Sequence, residues 1–232
     1  MSNLGIFLGF ALVNFVLLSL AYKFFKAKGI IAYIVISVIA ANLQVNVLVE
    51  FDFGLFSLYP TLGNVMFAGI FLATDLLNEV YGKEEAKKSV YISIFMNISF
   101  IIVMFIATTF KHLADSNSFA DALKMFFALD GTVIKIVLVS NLVYLISQYI
   151  DVTIYAWIKE KLPQTKFLWV RNNGSTLVSQ SIDTVLITLL FVYFVGIIPP
   201  EFLLSNIIAT FLMKAIVALI DTPFLYLMKK IK

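Results

Sequence analysis

Apolar residues run through this chain in blocks separated by short polar stretches that carry most of the lysines. The blocks hold about twenty residues each, and twenty residues of helix rise about 30 Å, the thickness of a bilayer's hydrocarbon core. Seven are marked, at 4–22, 30–49, 61–81, 89–110, 132–157, 174–196 and 202–228. The third is the least apolar at its end, so six spans with one re-entrant or interfacial segment stay open as an alternative. The pattern predicts an all-α polytopic transmembrane helix bundle of about seven spans. The connections are too short for a separate soluble domain, so residues 1–232 are read as one integral membrane domain.

Composition agrees. Hydrophobic residues make up 61% of the chain and charged residues 13%, where a soluble domain has about half and about a quarter. There is no cysteine and one histidine, His112, which removes disulfides, thiolate sites and cysteine nucleophiles and leaves no histidine set for zinc or haem. No cofactor is expected. The first block has no charged leader and no small-residue cleavage site, so it reads as a retained span.

Charge sets the expected orientation. Lys23, Lys26 and Lys28, then Lys83, Lys87 and Lys88, then Lys159, Lys161, Lys166 and Arg171, and finally Lys229, Lys230 and Lys232 all fall on one side of the predicted bundle. The positive-inside rule places that side in the cytoplasm, with the N-terminus outside and the C-terminus inside the plasma membrane. The net charge of +3 therefore reports topology rather than a nucleic-acid partner. In the outer connection 111–131, Ser118 with Asp121 fits a capping box, and Phe119, Leu123, Phe126 and Phe127 follow helical spacing. A short interfacial helix is the plainer expectation there, and a lid over an outer opening the sharper one.

The candidate chemistry lies inside the spans. The stretch entering the sixth is polar and basic at Arg171, Asn172 and Asn173 and is expected to turn at Gly174-Ser175. Beyond it Thr176, Gln180, Asp183 and Thr184 share one face of the span, and Asp75, Asn78 and Glu79 share one face of the third. The fifth carries a stripe of Ser140, Asn141, Tyr144, Ser147, Gln148, Asp151 and Tyr155; the second offers Asn42 and Asn46, and the seventh Lys214 and Asp221. At about 1.5 Å per residue, Asp75, Asp151 and Asp221 sit roughly 10 Å from the basic side and Asp183 roughly 15 Å. Four carboxylates are thus expected in one inner layer, with Lys214 as a neutralising partner from one level further out. Uncharged amides and hydroxyls such as Asn42, Asn46, Asn141 and Ser147 commonly act as interhelical glue, whereas intramembrane acids mark functional sites. Trp169 and Tyr155 are expected in the aromatic belt. SQYID (147–151) and SQSID (179–183) echo each other on two neighbouring antiparallel spans, so their Gln/Asp pairs are expected to face one another.

FLATDLLNEVYGKEEAKK (71–88), SQYIDVTIY (147–155), LWVRNNGSTLVSQSIDT (168–184) and the DTPFLY ending (221–226) resemble the queuosine precursor transporter family, earlier labelled vitamin-uptake-like integral membrane proteins. The resemblance covers most of the chain from about residue 40 and leaves out the first span. It implies import of a purine-like 7-deazaguanine base without an ATPase, no enzymatic activity, and a fold similar to the substrate-binding membrane subunits of vitamin importers. Asp75, Asn78 and Glu79 carry over onto the family's acidic motif, and Arg171, Asn172, Gln180 and Asp183 onto its second. With Gln148, Asp151 and Lys214 these are the candidate substrate-binding residues. A carboxylate with an amide one turn away suits such a base, whose adjacent N–H and amine need acceptors and whose carbonyl needs donors.

A proton or another cation as coupling ion and a homodimer are both compatible with the sequence. The main alternative is a substrate-capturing subunit that needs a separate ATPase. An intramembrane protease is disfavoured, because no glycine-flanked aspartate motif is present and His112 falls outside the spans. A passive structural protein would tolerate Asp183→Asn.

Overall fold

The computed structural model describes residues 3–52, 57–58, 60–111, 117–127 and 132–231, without the side chains of 57, 58, 117, 118, 132 and 133. His112 and the Ser118 half of the expected capping box lie outside the described residues and side chains. The helices are α1 (Asn3–Gln44), α2 (Asn64–Tyr81), α3 (Lys83–Thr108), α4 (Asn117–Phe127), α5 (Thr132–Lys161), α6 (Leu168–Leu190) and α7 (Leu203–Lys229). Among the described residues, five helices are long and apolar enough to cross a membrane. The chain is an all-helical, multi-pass integral membrane protein.

α1 is folded back on itself. Tyr33 donates to the carbonyl of Asn14 at 2.9 Å, nineteen residues away, a separation that would be about 28 Å in a continuous helix. The reversal lies at Lys26, with φ 56° and ψ −137°, a conformation that costs about 1–3 kcal/mol outside glycine. Gly29 makes it fit: a Cβ there would lie 2.1 Å from the carbonyl oxygen of Ala21. Because that neighbour is backbone, Gly29→Ala is expected to destabilise by about 1–3 kcal/mol, the overpacking range. A thermal scan of the purified protein checks this; an unchanged Tm would show that the reversal tolerates a Cβ.

Beyond α1, Phe51–Asp52 pairs antiparallel with Ser57–Leu58 to form a short hairpin, β1 and β2. α1 ends at Gln44, short of the expected 49, because the Asn46 amide donates to the carbonyls of Asn42 and Leu43 and closes the last turn.

α2 is the central rod, packed against α1, α3, α5, α6 and α7. Its weak apolarity at the end, which left an interfacial reading open, reflects this position: Asp75 and Asn78 are buried in protein. Gly82, at φ 91°, separates α2 from α3. Glu84 and Glu85 then occupy the first turn of α3, where acidic groups favour the helix dipole, so that helix starts before the expected 89. Asn97 donates to Asn141 at 2.7 Å and binds α3 to α5, the glue role expected of Asn141. Large apolar residues such as Leu12, Phe95, Val103 and Leu219 face outward, while amides, hydroxyls and acids are buried. This distribution suits a lipid surround.

α4 forms as the periodicity predicts and packs on α3, with Phe127 edge-on to Phe100 at 5.7 Å. α6 begins at Leu168 and passes straight through Gly174 and Ser175, where a turn was expected. Asn172 and Asn173 direct their amides to α7 rather than to a local turn. Gly174 meanwhile lets α6 approach Ile158 of α5, which a Cβ would meet at 3.2 Å. α6 runs on through a π turn, Phe191–Val195, and stops at Gly196. α7 contains Pro223 between its buried Asp221 and its basic last turn.

Candidate functional site

The helix ends define two poles. The C-termini of α2, α5 and α7 meet the N-terminus of α6 at a basic pole, and the opposite ends meet the α1–α2 connection. A cavity of about 590 Å³ opens between α2, α5, α6 and α7 at the pole opposite the basic one, within the about 300–1,000 Å³ of ordinary small-molecule sites. Its walls are largely apolar, including Phe67, Phe191 and Phe202, and Phe191 stands at the start of the π turn. Polar groups interrupt them: Asn46, Asn64, Ser140, Thr188, Ser205 and Asn206.

Asp183 and Lys214 also line the cavity. The Lys214 ammonium donates to one oxygen of Asp183, and the Ser147 hydroxyl donates to the other at 3.0 Å. This neutralises both charges and leaves carboxylate lone pairs for a ligand. Lys214 thus partners Asp183, as anticipated. The expectation of four acids in one layer is corrected: counting rise per residue gives depth but not direction around the helix axis, and Asp183 belongs to the cavity.

The other acids form a dry layer nearer the basic pole; Asp75, Asp151 and Asp221 are fully buried and none lines the cavity. Ser179 donates to Asp151 at 2.9 Å, Thr176 to Asp75 at 3.5 Å and Asn172 to Asp221 at 2.7 Å. Gln148 accepts from Thr74 at 3.0 Å, and Gln180 is buried with its carbonyl oxygen unpartnered among the described residues. The sequence echo here has a geometric meaning. The serine of each copy holds the aspartate of the other, Ser147 to Asp183 and Ser179 to Asp151, so the two copies meet in antiparallel reciprocity. Aspartates bonded to serines, rather than Gln/Asp pairs, make the contact.

At the basic pole, Glu79 gathers Arg171 at 3.0 Å, Lys229 at 2.6 Å, Lys159 at 4.0 Å and the Tyr155 hydroxyl at 3.0 Å. Arg171, fully buried, also donates to the carbonyls of Leu162 and Gln164 at 2.6 and 3.1 Å. Asn78 donates to Val152 at 2.9 Å. This cluster ties α2, α5, α6 and α7 together and closes the basic pole. Tyr155 is therefore a buried ligand of Glu79 rather than a belt aromatic, while Trp169 is exposed as a belt residue would be.

Of the ten candidates, Asp183 and Lys214 reach the cavity. Asp75, Gln148, Asp151, Asn172 and Gln180 lie in the dry layer, and Asn78, Glu79 and Arg171 at the closed pole. Asn206 was missed, although Asn206, Thr210 and Lys214 fall one turn apart on α7 and all line the cavity. No described residue of α4 lines it, so the lid expectation finds no support.

Residues 61–228 match the family model described as "Putative vitamin uptake transporter". The chain is 39% identical over 230 residues, 99% of its length and 96% of the relative's, to a Bacillus subtilis (strain 168) protein named "Probable queuosine precursor transporter". A Haemophilus influenzae protein of the same name is 30% identical over 132 residues, 56% of this chain and 50% of that protein. No solved structure matches.

Proposed function

The chain belongs to the vitamin uptake transporter family, and on that premise we propose that it imports queuosine precursors, the 7-deazaguanine bases, across the plasma membrane as a secondary transporter. The observation that carries this reading is the cavity with the Asp183–Lys214 pair on its wall. Asp183 accepts the ring N–H and the exocyclic amine of the base, Lys214 donates to its carbonyl, and Phe67 or Phe191 covers its flat face. Gln180 and Asn172 lie further along the route, and the Glu79–Arg171 cluster closes its cytoplasmic end. The two arms of α1 count as two spans in this reading, which with α2, α3, α5, α6 and α7 gives seven, N-terminus outside and C-terminus inside. The burial of α2 among five other helices and the grouping of lysines at one pole support that topology.

Uptake of labelled 7-deazaguanine bases into cells lacking their own synthesis route tests the substrate. Uptake dependent on this chain is the expected result; none would sink the substrate assignment. Purified protein in liposomes tests the secondary mechanism. Binding without movement there would favour the alternative of a capturing subunit that needs an ATPase.

A further inference from the structure

The dry layer has a charge imbalance. The cations on the cavity wall and at the basic pole are already engaged: Lys214 by Asp183, and Arg171, Lys159 and Lys229 by Glu79. Among the described residues none of them pairs with Asp75, Asp151 or Asp221. Hydrogen-bond donors do not suffice either. Ser179 serves one oxygen of Asp151, Thr176 makes a long contact to one oxygen of Asp75, and Asn172 serves Asp221. The remaining oxygen of Asp75 and the remaining oxygen of Asp151 have no donor among the described residues. Thr176 and Ser179, which hold the two acids, lie one turn apart on α6, so the two carboxyls sit close together.

Every element around the pair leads to the same conclusion. In the neighbourhood of Asp75 are Asp151 and Tyr155 from α5 and Asp221 from α7, with Glu79 one turn further along α2. α6 contributes the hydroxyls of Thr176 and Ser179, its Arg171 being held by Glu79, and among the described residues no salt bridge reaches either acid. Two carboxylates buried side by side, with no ion pair to either among the described residues, cannot both be ionised. The described residues hold no group of three or more His, Cys, Asp or Glu side chains placed to ligate a metal ion. One proton between the two orphan oxygens satisfies both.

We propose that Asp75 and Asp151 form a shared-proton site and that its proton is the coupling ion of transport. The proposal rests on the transporter reading above. The site is linked to the cavity through the reciprocal serine contacts, which fix Asp151 and Asp183 to the same pair of helices. Moving α5 against α6 therefore disturbs both sites together. One proton enters with one molecule of base from the outer side and leaves on the cytoplasmic side. Its loss leaves two ionised carboxyls side by side, so release requires water to reach the pair through an opened basic pole.

The full chain in liposomes, with membrane potential clamped at zero, tests this through two measurements. Exchange of labelled outside base for unlabelled inside base, without a pH gradient, reports transport alone. Accumulation with the outside one pH unit more acidic reports coupling, and one proton per base permits about a tenfold ratio. Wild type is expected to exchange, to accumulate towards that limit, and to acidify the lumen, read with a trapped dye, when base is added. Asp75→Asn and Asp151→Asn place an amide donor against the remaining carboxylate, so each should still exchange while its accumulation ratio falls to one and acidification stops. Accumulation that survives both substitutions overturns the assignment of the proton to this pair. Wild-type exchange with no response to pH, or without acidification, overturns coupling by protons and leaves the transporter reading standing. Absence of wild-type exchange overturns both. Should neither variant fold, the wild-type dye signal still decides whether a proton moves with the base.

Discussion

Asp183→Asn is expected to lower uptake of 7-deazaguanine bases by at least about a hundredfold. Removing one partner of a buried ion pair leaves the other uncompensated, at a cost of about 3–5 kcal/mol, and each 1.4 kcal/mol is about tenfold. Here the orphan is Lys214, whose side chain is 5% exposed. The substitution also removes the charged acceptor offered to the base, so loss of folding and loss of binding must be separated. The double variant Asp183→Asn/Lys214→Met achieves that, because it leaves no unpaired charge. Its amount in the membrane should return towards wild type while uptake stays absent. Uptake restored along with protein level would make the pair a structural element and move substrate recognition elsewhere in the cavity.

The largest loss of stability is expected from Glu79→Gln. One carboxylate, 3% exposed, holds a buried arginine and two partly exposed lysines from three other helices. Water screens the lysines, but Arg171 has no such recourse, and a loss of about 3–5 kcal/mol follows from its isolation. For a chain of this size that lowers Tm by roughly 6–20 °C, taking about 2–4 °C per kcal/mol. Arg171→Lys should be similarly damaging, since an ammonium cannot serve Glu79 and the carbonyls of Leu162 and Gln164 in one planar fork. A thermal scan in detergent that moved by less than about 2 °C for Glu79→Gln would remove the cluster from the structural account.

Much of this could be seen in the residues themselves. Blocks of apolar residues marked every long helix, because a lipid-facing helix has no other way to satisfy its backbone. The SQYID and SQSID echo located the α5–α6 crossing. Lys214 stood alone among apolar neighbours on α7, and a lone intramembrane cation needs an acid; Asp183 is that acid. What sequence did not display depends on direction around each helix axis. Asp183 and Asp151 occupy matching places in two similar pentapeptides, yet one lines the cavity and the other is sealed in the dry layer. Local propensity misled at Gly174-Ser175, because the neighbouring asparagines find better partners on α7 than a turn could offer. Tyr155 has the composition of a belt residue, and only the fold brings Glu79 beneath it.

Pro223 gives α7 the character of a jointed lever. Without an amide proton at that position, the carbonyl of Leu219 lacks its helical partner, and bending there is easier than anywhere else along the rod. The fulcrum falls between Lys214 in the cavity and Lys229 at the closed pole. The short arm beyond Pro223 can therefore swing Lys229 away from Glu79 while the longer arm keeps Lys214 against Asp183, so the lock at one end can turn without loosening the grip at the other.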